Sequence, residues 1–128
     1  MAKVYSKALD QSIEVNRLIG KIKGSKAGPT VIFTGGIHGN EPSGVFALNR
    51  VFEKLKGLEN NIKGSVYGIA GNLWAMQNDK RFHEQDLNRL WTKENMKELI
   101  DGSLDVTNND LKEQTEIFET IQRIFCLL

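Results

Sequence analysis

The chain has 128 residues, of which 40% are hydrophobic and 26% charged, and this composition is typical of one globular domain with its own core. With 17 Lys and Arg against 16 Asp and Glu, it carries neither the basic excess that binds nucleic acid nor an acidic tail. Cys126 is the single cysteine, so no intrachain disulfide forms, and the sequence shows neither a signal peptide nor a membrane-spanning segment; we therefore expect a cytoplasmic protein.

The first half of the chain predicts strands on either side of one helix. Residues 1–11 show no strong periodicity, whereas residues 12–22 alternate apolar and polar side chains as a half-exposed strand does. Residues 30–34 form a more continuous apolar strand, which indicates a sheet covered on both faces. After Pro42, apolar residues recur at helical spacing, and residues 65–70 again favour a strand.

This order of elements predicts a βαβ unit, with the helix ending near Gly57 and the two strands parallel. The predicted class is α/β, with a mostly parallel or mixed sheet flanked by helices. Ligands of such sheets bind beyond the carboxyl ends of the strands. The sequence places a glycine-rich turn at that position, Gly35-Gly36-Ile37-His38-Gly39-Asn40-Glu41.

Two residues of this turn, His38 and Glu41, are candidate metal ligands. An imidazole nitrogen and a carboxylate oxygen both bind zinc, and a catalytic zinc takes three protein ligands plus water. The H-x-x-E spacing is common, however. The alternative is that His38 is an ordinary loop residue and Glu41 interacts with the helix dipole.

A second polar stretch runs from Arg81 to Trp91, and four of its residues could serve chemistry: two arginines, a carboxylate and an asparagine. An arginine fork binds a carboxylate through two parallel hydrogen bonds, and a neighbouring amide adds direction. The alternative is a solvated loop with local salt bridges, which the stretch taken alone favours.

The last third of the chain predicts a polar loop and then a helix. Residues 92–110 favour a loop with at most a short helix. From residue 111 to residue 128, apolar side chains recur on one side of a final helix and are expected to face the core: Leu111, Ile117, Phe118, Ile121, Ile124 and Phe125. Cys126 on this helix is expected to pack as a small buried hydrophobe.

Two motifs together point to a family. His38-Gly39-Asn40-Glu41 follows a glycine-ended strand, and it is followed by Gly71-Asn72, Ala75, Arg81 and Asp86-Leu87-Asn88-Arg89. In order and spacing, this pair resembles the two signatures of the succinylglutamate desuccinylase/aspartoacylase family, a branch of the zinc carboxypeptidase-like hydrolases with helices packed on a mixed sheet. The resemblance covers nearly all of residues 1–128, taken as one domain, and corresponds to the N-terminal part of a family catalytic domain.

The resemblance implies a zinc hydrolase. His38 and Glu41 would be two of the three protein ligands of a Zn²⁺ ion, and Arg81 would polarise the scissile carbonyl and stabilise the developing oxyanion. In the family, zinc lowers the pKa of a bound water, and the water attacks the acyl carbonyl of an N-acyl amino acid and so cleaves its amide bond.

The resemblance also implies how the substrate is held. Asn88 and Arg89 would clamp a carboxylate of a small anionic N-acyl amino acid, such as N-succinylglutamate or N-acetylaspartate. Asp86 would hold the arginines in place. Neither nucleic acid nor a membrane is expected as a partner.

The chain departs from the family beyond these motifs. In the family, the third zinc ligand is a histidine that comes after the helix ending here at Leu128, and the general-base glutamate comes later still. His83, Cys126 and Glu84 are weaker candidates to complete the site, so we expect these 128 residues to be inactive by themselves. The alternatives are a non-catalytic binding or assembly module derived from this fold, and a metallocarboxypeptidase. We also expect a homo-oligomer, formed through an exposed edge of the last strand or through the C-terminal helix.

Overall fold

In a computed structural model, the described part of the chain, residues 1–126, forms an N-terminal hairpin followed by a sheet with helices on both faces. The strands are β1 (Ala2–Ser6), β2 (Gln11–Val15), β3 (Leu18–Lys23), β4 (Lys26–Gly35) and β5 (Lys63–Ala70). The helices are α1 (Ser43–Leu55), α2 (Leu73–Gln77), α3 (Lys93–Asp101) and α4 (Asn109–Cys126), and short 3-10 turns cover Glu59–Asn61 and Leu87–Arg89. Within residues 1–126, no helix has the length and apolar character needed to cross a membrane.

The sheet has the order β3-β5-β4. β4 runs parallel to β5 and β3 runs antiparallel to it, so the sheet is mixed and the predicted class is confirmed. The segment β4-α1-β5 is the predicted βαβ unit. The sequence predicts an exposed edge on the last strand, but that strand is β5, which has a neighbour on each side. The edge strands are β3 and β4 instead.

The N-terminal region differs from the prediction. Residues 1–11, which show no strong periodicity, contain β1, whose alternate side chains are buried. The single strand predicted over residues 12–22 is divided, because β2 pairs with β1 whereas β3 pairs with β5. At the break, Arg17 turns inward and donates hydrogen bonds to the carbonyls of Ala70 and Gly71 at the end of β5.

Helices pack on both faces of the sheet, although Val31 and Phe33 of β4 stay 40% and 51% exposed. The Phe52 ring of α1 fills space that the missing side chains of Gly20 and Gly68 leave open, since Cβ atoms there would lie 2.4 and 2.5 Å from the ring. Neighbouring residues of a strand point to opposite faces. On the other face, Ile124 of α4 packs against Ile69 of β5.

The C-terminal helices differ from the prediction in detail. α3 is a nine-residue helix with an N-cap, Thr92, and a C-cap, Gly102, in a polar region that predicts at most a short helix. α4 begins before the predicted Leu111, and its described part ends at Cys126, so residues 127–128 lie outside the described residues. Phe125 and Cys126 are exposed rather than buried. A helix turns about 100° per residue, so the position next to the sheet-facing Ile124 points to the flank.

Candidate functional site

The H-G-N-E turn joins the end of β4 to the start of α1. Gly36 opens it with φ +74°, a conformation that residues with a side chain rarely adopt. A Cβ on Gly39 would lie 2.2 Å from the carbonyl carbon of Ala75, so only glycine lets the turn pack this closely. The Gly39 N–H donates a hydrogen bond to the Arg81 carbonyl at 3.1 Å. These contacts bring the turn against the loop that carries the second motif.

Four of the six candidate residues meet where these two segments touch. Glu41 Oε2 lies 3.3 Å from Nδ1 of His38, and Asp86 Oδ1 lies 2.9 Å from Nε2 on the other side of the ring. Arg81 donates a hydrogen bond to Glu41 Oε1 at 2.7 Å. The imidazole is therefore held between two carboxylates, and one of them is paired with a guanidinium.

These contacts keep both carboxylates ionised. The hydrogen bond from Arg81, with a further contribution from His38, lowers the pKa of Glu41. Burial by itself would raise the pKa of Asp86, but hydrogen bonds from His38 and from the Asn88 N–H outweigh it, so the pKa of Asp86 is also lowered. The site thus combines an imidazole, two anions and one cation.

Comparison with known proteins decides which family has this arrangement of motifs. Residues 27–125 match the family described as the succinylglutamate desuccinylase/aspartoacylase catalytic domain. The chain belongs to this family. The matched region includes the βαβ unit, except for the first residue of β4, and every residue of the cluster around His38.

Two curated relatives are succinylglutamate desuccinylases. The protein from Pseudomonas paraeruginosa (strain DSM 24068 / PA7) is 38% identical over 64 residues, and the protein from Ectopseudomonas mendocina (strain ymp) is 34% identical over 64 residues. Each alignment covers 50% of this chain and 19% of the relative, so the similarity spans less than a fifth of the relatives' length. A comparison with solved structures gives no significant match.

Of the last part of the second family signature, Asp86 contacts His38, whereas Asn88 and Arg89 are exposed to solvent. Asp86, for which the resemblance implies contact with arginines, accepts hydrogen bonds from His38 and from the Asn88 N–H. Within residues 1–126, no hydrogen bond or ion pair joins Asp86 to an arginine. Asn88 and Arg89, the implied substrate clamp, are exposed in the 3-10 turn that Asp86 caps. Their role as a clamp stays a prediction.

The weaker candidate ligands His83 and Cys126 make no hydrogen bond to His38 or Glu41 within the described residues. The His83 ring centroid lies 4.4 Å from that of Trp74, and His83 Nδ1 lies 3.3 Å from the Asn109 side-chain nitrogen. Cys126 is exposed at the end of α4. Across the described residues, no group of three or more His, Cys, Asp or Glu side chains is arranged to hold a metal ion.

His38 and Glu41 nevertheless have the right atoms at the right separation for two ligands of one zinc ion. Zinc bonds to histidine nitrogen and carboxylate oxygen are about 2.0–2.2 Å long, so two ligands of a tetrahedral ion lie about 3.3–3.5 Å apart. His38 Nδ1 and Glu41 Oε2 are 3.3 Å apart. These two side chains fit two positions of the site that the family implies.

A cleft of about 620 Å³ opens beside Glu41. Its volume lies within the range of about 300–1,000 Å³ that is usual for small-molecule sites. Part of its lining comes from the β1–β2 hairpin, and the lining residues are Tyr5, Ser6, Lys7, Ala8, Asn40, Glu41, Pro42, Ser43 and Asp79. Nothing in the spacing of the motifs predicts that the hairpin lies near the candidate ligands.

Sequence reasoning missed a buried polar pair behind the site. Asn72 and Asp110 are fully buried, and the Asn72 side-chain amide donates to Asp110 Oδ1 at 2.9 Å. Asn72 is part of the family signature, but Asp110 lies in a region whose composition predicts a polar loop. Two asparagines precede Asp110 and an apolar periodic run follows it, and this pattern of a helix start is the signal that could have placed it.

Proposed function

We propose that the chain contributes part of the active site of a zinc-dependent hydrolase that cleaves the amide bond of N-acyl amino acids. The observation that carries the proposal is the 3.3 Å separation of His38 Nδ1 and Glu41 Oε2, in a chain of this family. In this role His38 and Glu41 hold the zinc ion. When bound, zinc supplies a water of lowered pKa and polarises the substrate carbonyl.

The other side of the His38 ring supports a cation at Nδ1. A carboxylate accepts hydrogen bonds, so Asp86 favours the tautomer that carries its proton on Nε2. The Nδ1 lone pair then faces Glu41 Oε2, which is repulsive unless a proton or a cation lies between them. Histidine ligands of metals usually donate their other ring N–H to a carboxylate in this way.

Arg81 brings the positive charge that an acyl-transfer site needs. Its guanidinium is bonded to Glu41, and a donor beside the metal position stabilises charge that develops on a substrate oxygen. The same charge attracts an anionic substrate through a charge-assisted hydrogen bond. Asn88 and Arg89, exposed on the same loop, are proposed to bind a substrate carboxylate.

The named relatives favour an N-acyl amino acid over a peptide as the substrate, because both are succinylglutamate desuccinylases. This observation distinguishes the proposal from a metallocarboxypeptidase. A catalytic zinc takes three protein ligands, and His38 and Glu41 are two. We therefore propose that residues 1–128 bind zinc but do not hydrolyse an acyl amino acid by themselves.

Zinc titration of the purified chain tests the proposal, with dissociation constants measured by calorimetry for the wild type, His38→Ala and His83→Ala. We expect His38→Ala to abolish binding, because it removes the imidazole ligand, and His83→Ala to bind as the wild type does. Loss of binding in both variants would make His83 a ligand and contradict the proposed ligand set. A wild-type chain that binds no zinc at millimolar concentration would overturn the proposal.

A further inference from the structure

One buried carboxylate, that of Asp110, holds the loop that lies between Arg81 and Asp86 of the site. Asp110 has no exposed surface, and it accepts hydrogen bonds from three consecutive main-chain N–H groups. Their nitrogens lie 2.9, 2.7 and 2.9 Å from its oxygens, and they belong to His83, Glu84 and Gln85. The Asn72 side chain donates a fourth bond.

This arrangement is a binding site for an anion, formed within the chain. Successive main-chain N–H groups that converge on one point form a concave nest for negative charge. Burial would raise the pKa of Asp110, but the three N–H groups and Asn72 outweigh it, so the pKa is lowered and the side chain stays ionised. Each donor therefore makes a charge-assisted bond, the stronger class of hydrogen bond.

The segment that Asp110 holds has no regular structure of its own. Residues 78–86 contain neither helix nor strand, so the path of this loop depends on contacts with the rest of the chain. Arg81 lies before the three held amides and Asp86 comes directly after them. Arg81 contacts Glu41, and Asp86 contacts His38.

We propose that Asp110 is a positioning residue for the zinc site: by fixing residues 83–85, it places Asp86 against His38 Nε2 and Arg81 against Glu41. That Asp86 and Arg81 serve a zinc site rests on the proposed function, whereas the role of Asp110 in placing them rests on the observed hydrogen bonds alone. Asp110 does not touch the candidate ligands, so it acts only through the loop.

Glu113, one turn further along α4, offers a matched control. It is also buried, with 6% of its surface exposed, and it also accepts two main-chain N–H groups, from Leu73 at 2.9 Å and from Trp74 at 3.2 Å. It pairs with Arg17. Glu113 therefore holds the start of α2 rather than the loop of the site.

The test compares Asp110→Asn with Glu113→Gln, two changes that remove one buried charge from the same helix. Long-range proton–nitrogen NMR of the His38 ring reports its tautomer and the Nε2 hydrogen bond, which destabilisation of the fold alone does not change. We expect Asp110→Asn to alter the His38 signals and to weaken zinc binding about 10–100-fold, the usual cost of losing a group that orients a ligand. We expect Glu113→Gln, which leaves the contacts of residues 83–85 in place, to change both measurements less than Asp110→Asn does.

Unchanged His38 signals in Asp110→Asn, or equal changes in both variants, would overturn the inference. The His38 ring signals can be recorded without metal. If the wild-type chain binds no zinc, the proposed function is refuted, but the His38 signals of the two variants still test the role of Asp110. Hydrogen exchange of the wild type adds a measurement that needs no variant. The amides of residues 83–85 should be protected although they lie in a loop, and exchange as fast as that of exposed loop amides would also overturn the inference.

Discussion

The two nitrogens of His38 face different carboxylates, and this decides which of them is available to a metal. Nε2 is bonded to Asp86, whose lowered pKa keeps it an acceptor at neutral pH. Nδ1 faces Glu41 at 3.3 Å. Under the proposed function, Asp86 therefore orients the imidazole rather than the arginines, and its loss should weaken metal binding without removing a ligand.

At the scale of single residues, Asp110 predicts how stability depends on pH. Its pKa in the folded chain lies below the ordinary value of 3.8, so the unfolded chain binds the proton more readily. The stabilisation that the ionised Asp110 side chain contributes is complete at pH values above 3.8. It is lost as the pH falls through the pKa of Asp110 in the folded chain. As the pH is lowered below 3.8, we expect the free energy of unfolding, measured in urea, to fall for the wild type and to fall less for Asp110→Asn.

An exposed carboxylate on the preceding loop is the control for this measurement. Asp105 is exposed and accepts no hydrogen bond from the described residues, so Asp105→Asn should give a curve parallel to that of the wild type. If the Asp110→Asn curve also runs parallel, and does not converge on the wild-type curve as the pH falls, Asp110 is not the ionised acceptor described above.

The contacts of single residues could be predicted only where they are local. His38 and Glu41 are three positions apart in one turn, so their spacing alone brings them together. Asp86 is 48 residues from His38, and its position depends on the path of a loop without secondary structure. Asp110 was missed because a carboxylate beside two asparagines is usually solvated, and its burial becomes evident only from the three amides that surround it.

At the scale of elements, the turn after β4 depends on how closely it packs against α2. We expect Gly39→Ala to lower the free energy of unfolding by about 1–3 kcal/mol, the usual cost of an added methyl group in a packed site. Its Cβ would meet main-chain atoms of Ala75, which cannot move aside as a flexible side chain does. Because the displaced turn carries His38 and Glu41, zinc affinity should fall as well. Urea unfolding and zinc titration measure the two effects.

Gly57→Ala is a control that tests backbone strain without the crowding expected for Gly39→Ala. Gly57 has φ +79°, but beyond the residue itself and its two chain neighbours nothing lies within 4 Å of the Cβ position, so Gly57→Ala introduces strain without a clash. We expect a cost of about 1–2 kcal/mol from the left-handed conformation and unchanged zinc affinity. A Gly39→Ala chain with wild-type zinc affinity would show that the turn tolerates the displacement.

The elements of the βαβ unit could be predicted because each has its own periodicity and a glycine or proline at its ends. The division between β2 and β3 could not, since alternation continues across it and only the choice of pairing partner differs. The same limit applies to β1, whose five residues become a strand through pairing with β2. Local pattern therefore gave the type of most elements, whereas tertiary pairing set the order of the strands.

At the scale of the whole molecule, one of the two edge strands of the sheet, β4, leads to a prediction about assembly. β4 pairs only with β5, and its residues Val31 and Phe33 are 40% and 51% exposed. An apolar edge strand with unpaired main-chain groups is a template for another chain. We propose that residues 1–128 self-associate through β4, and we expect light scattering after size-exclusion chromatography to show larger species as concentration rises.

Two lysine substitutions decide between the sheet edge and the final helix as the contact. Phe33→Lys places a charge on the edge strand and should shift the chain to a monomer, since charged side chains are a natural defence of such edges. Phe125→Lys, at an exposed position of α4, should leave the distribution unchanged. The reverse result would assign the contact to α4. A wild-type chain that stays monomeric throughout the micromolar range would exclude both contacts. The apolar side chains of β4 would then be exposed to solvent in a stable monomer.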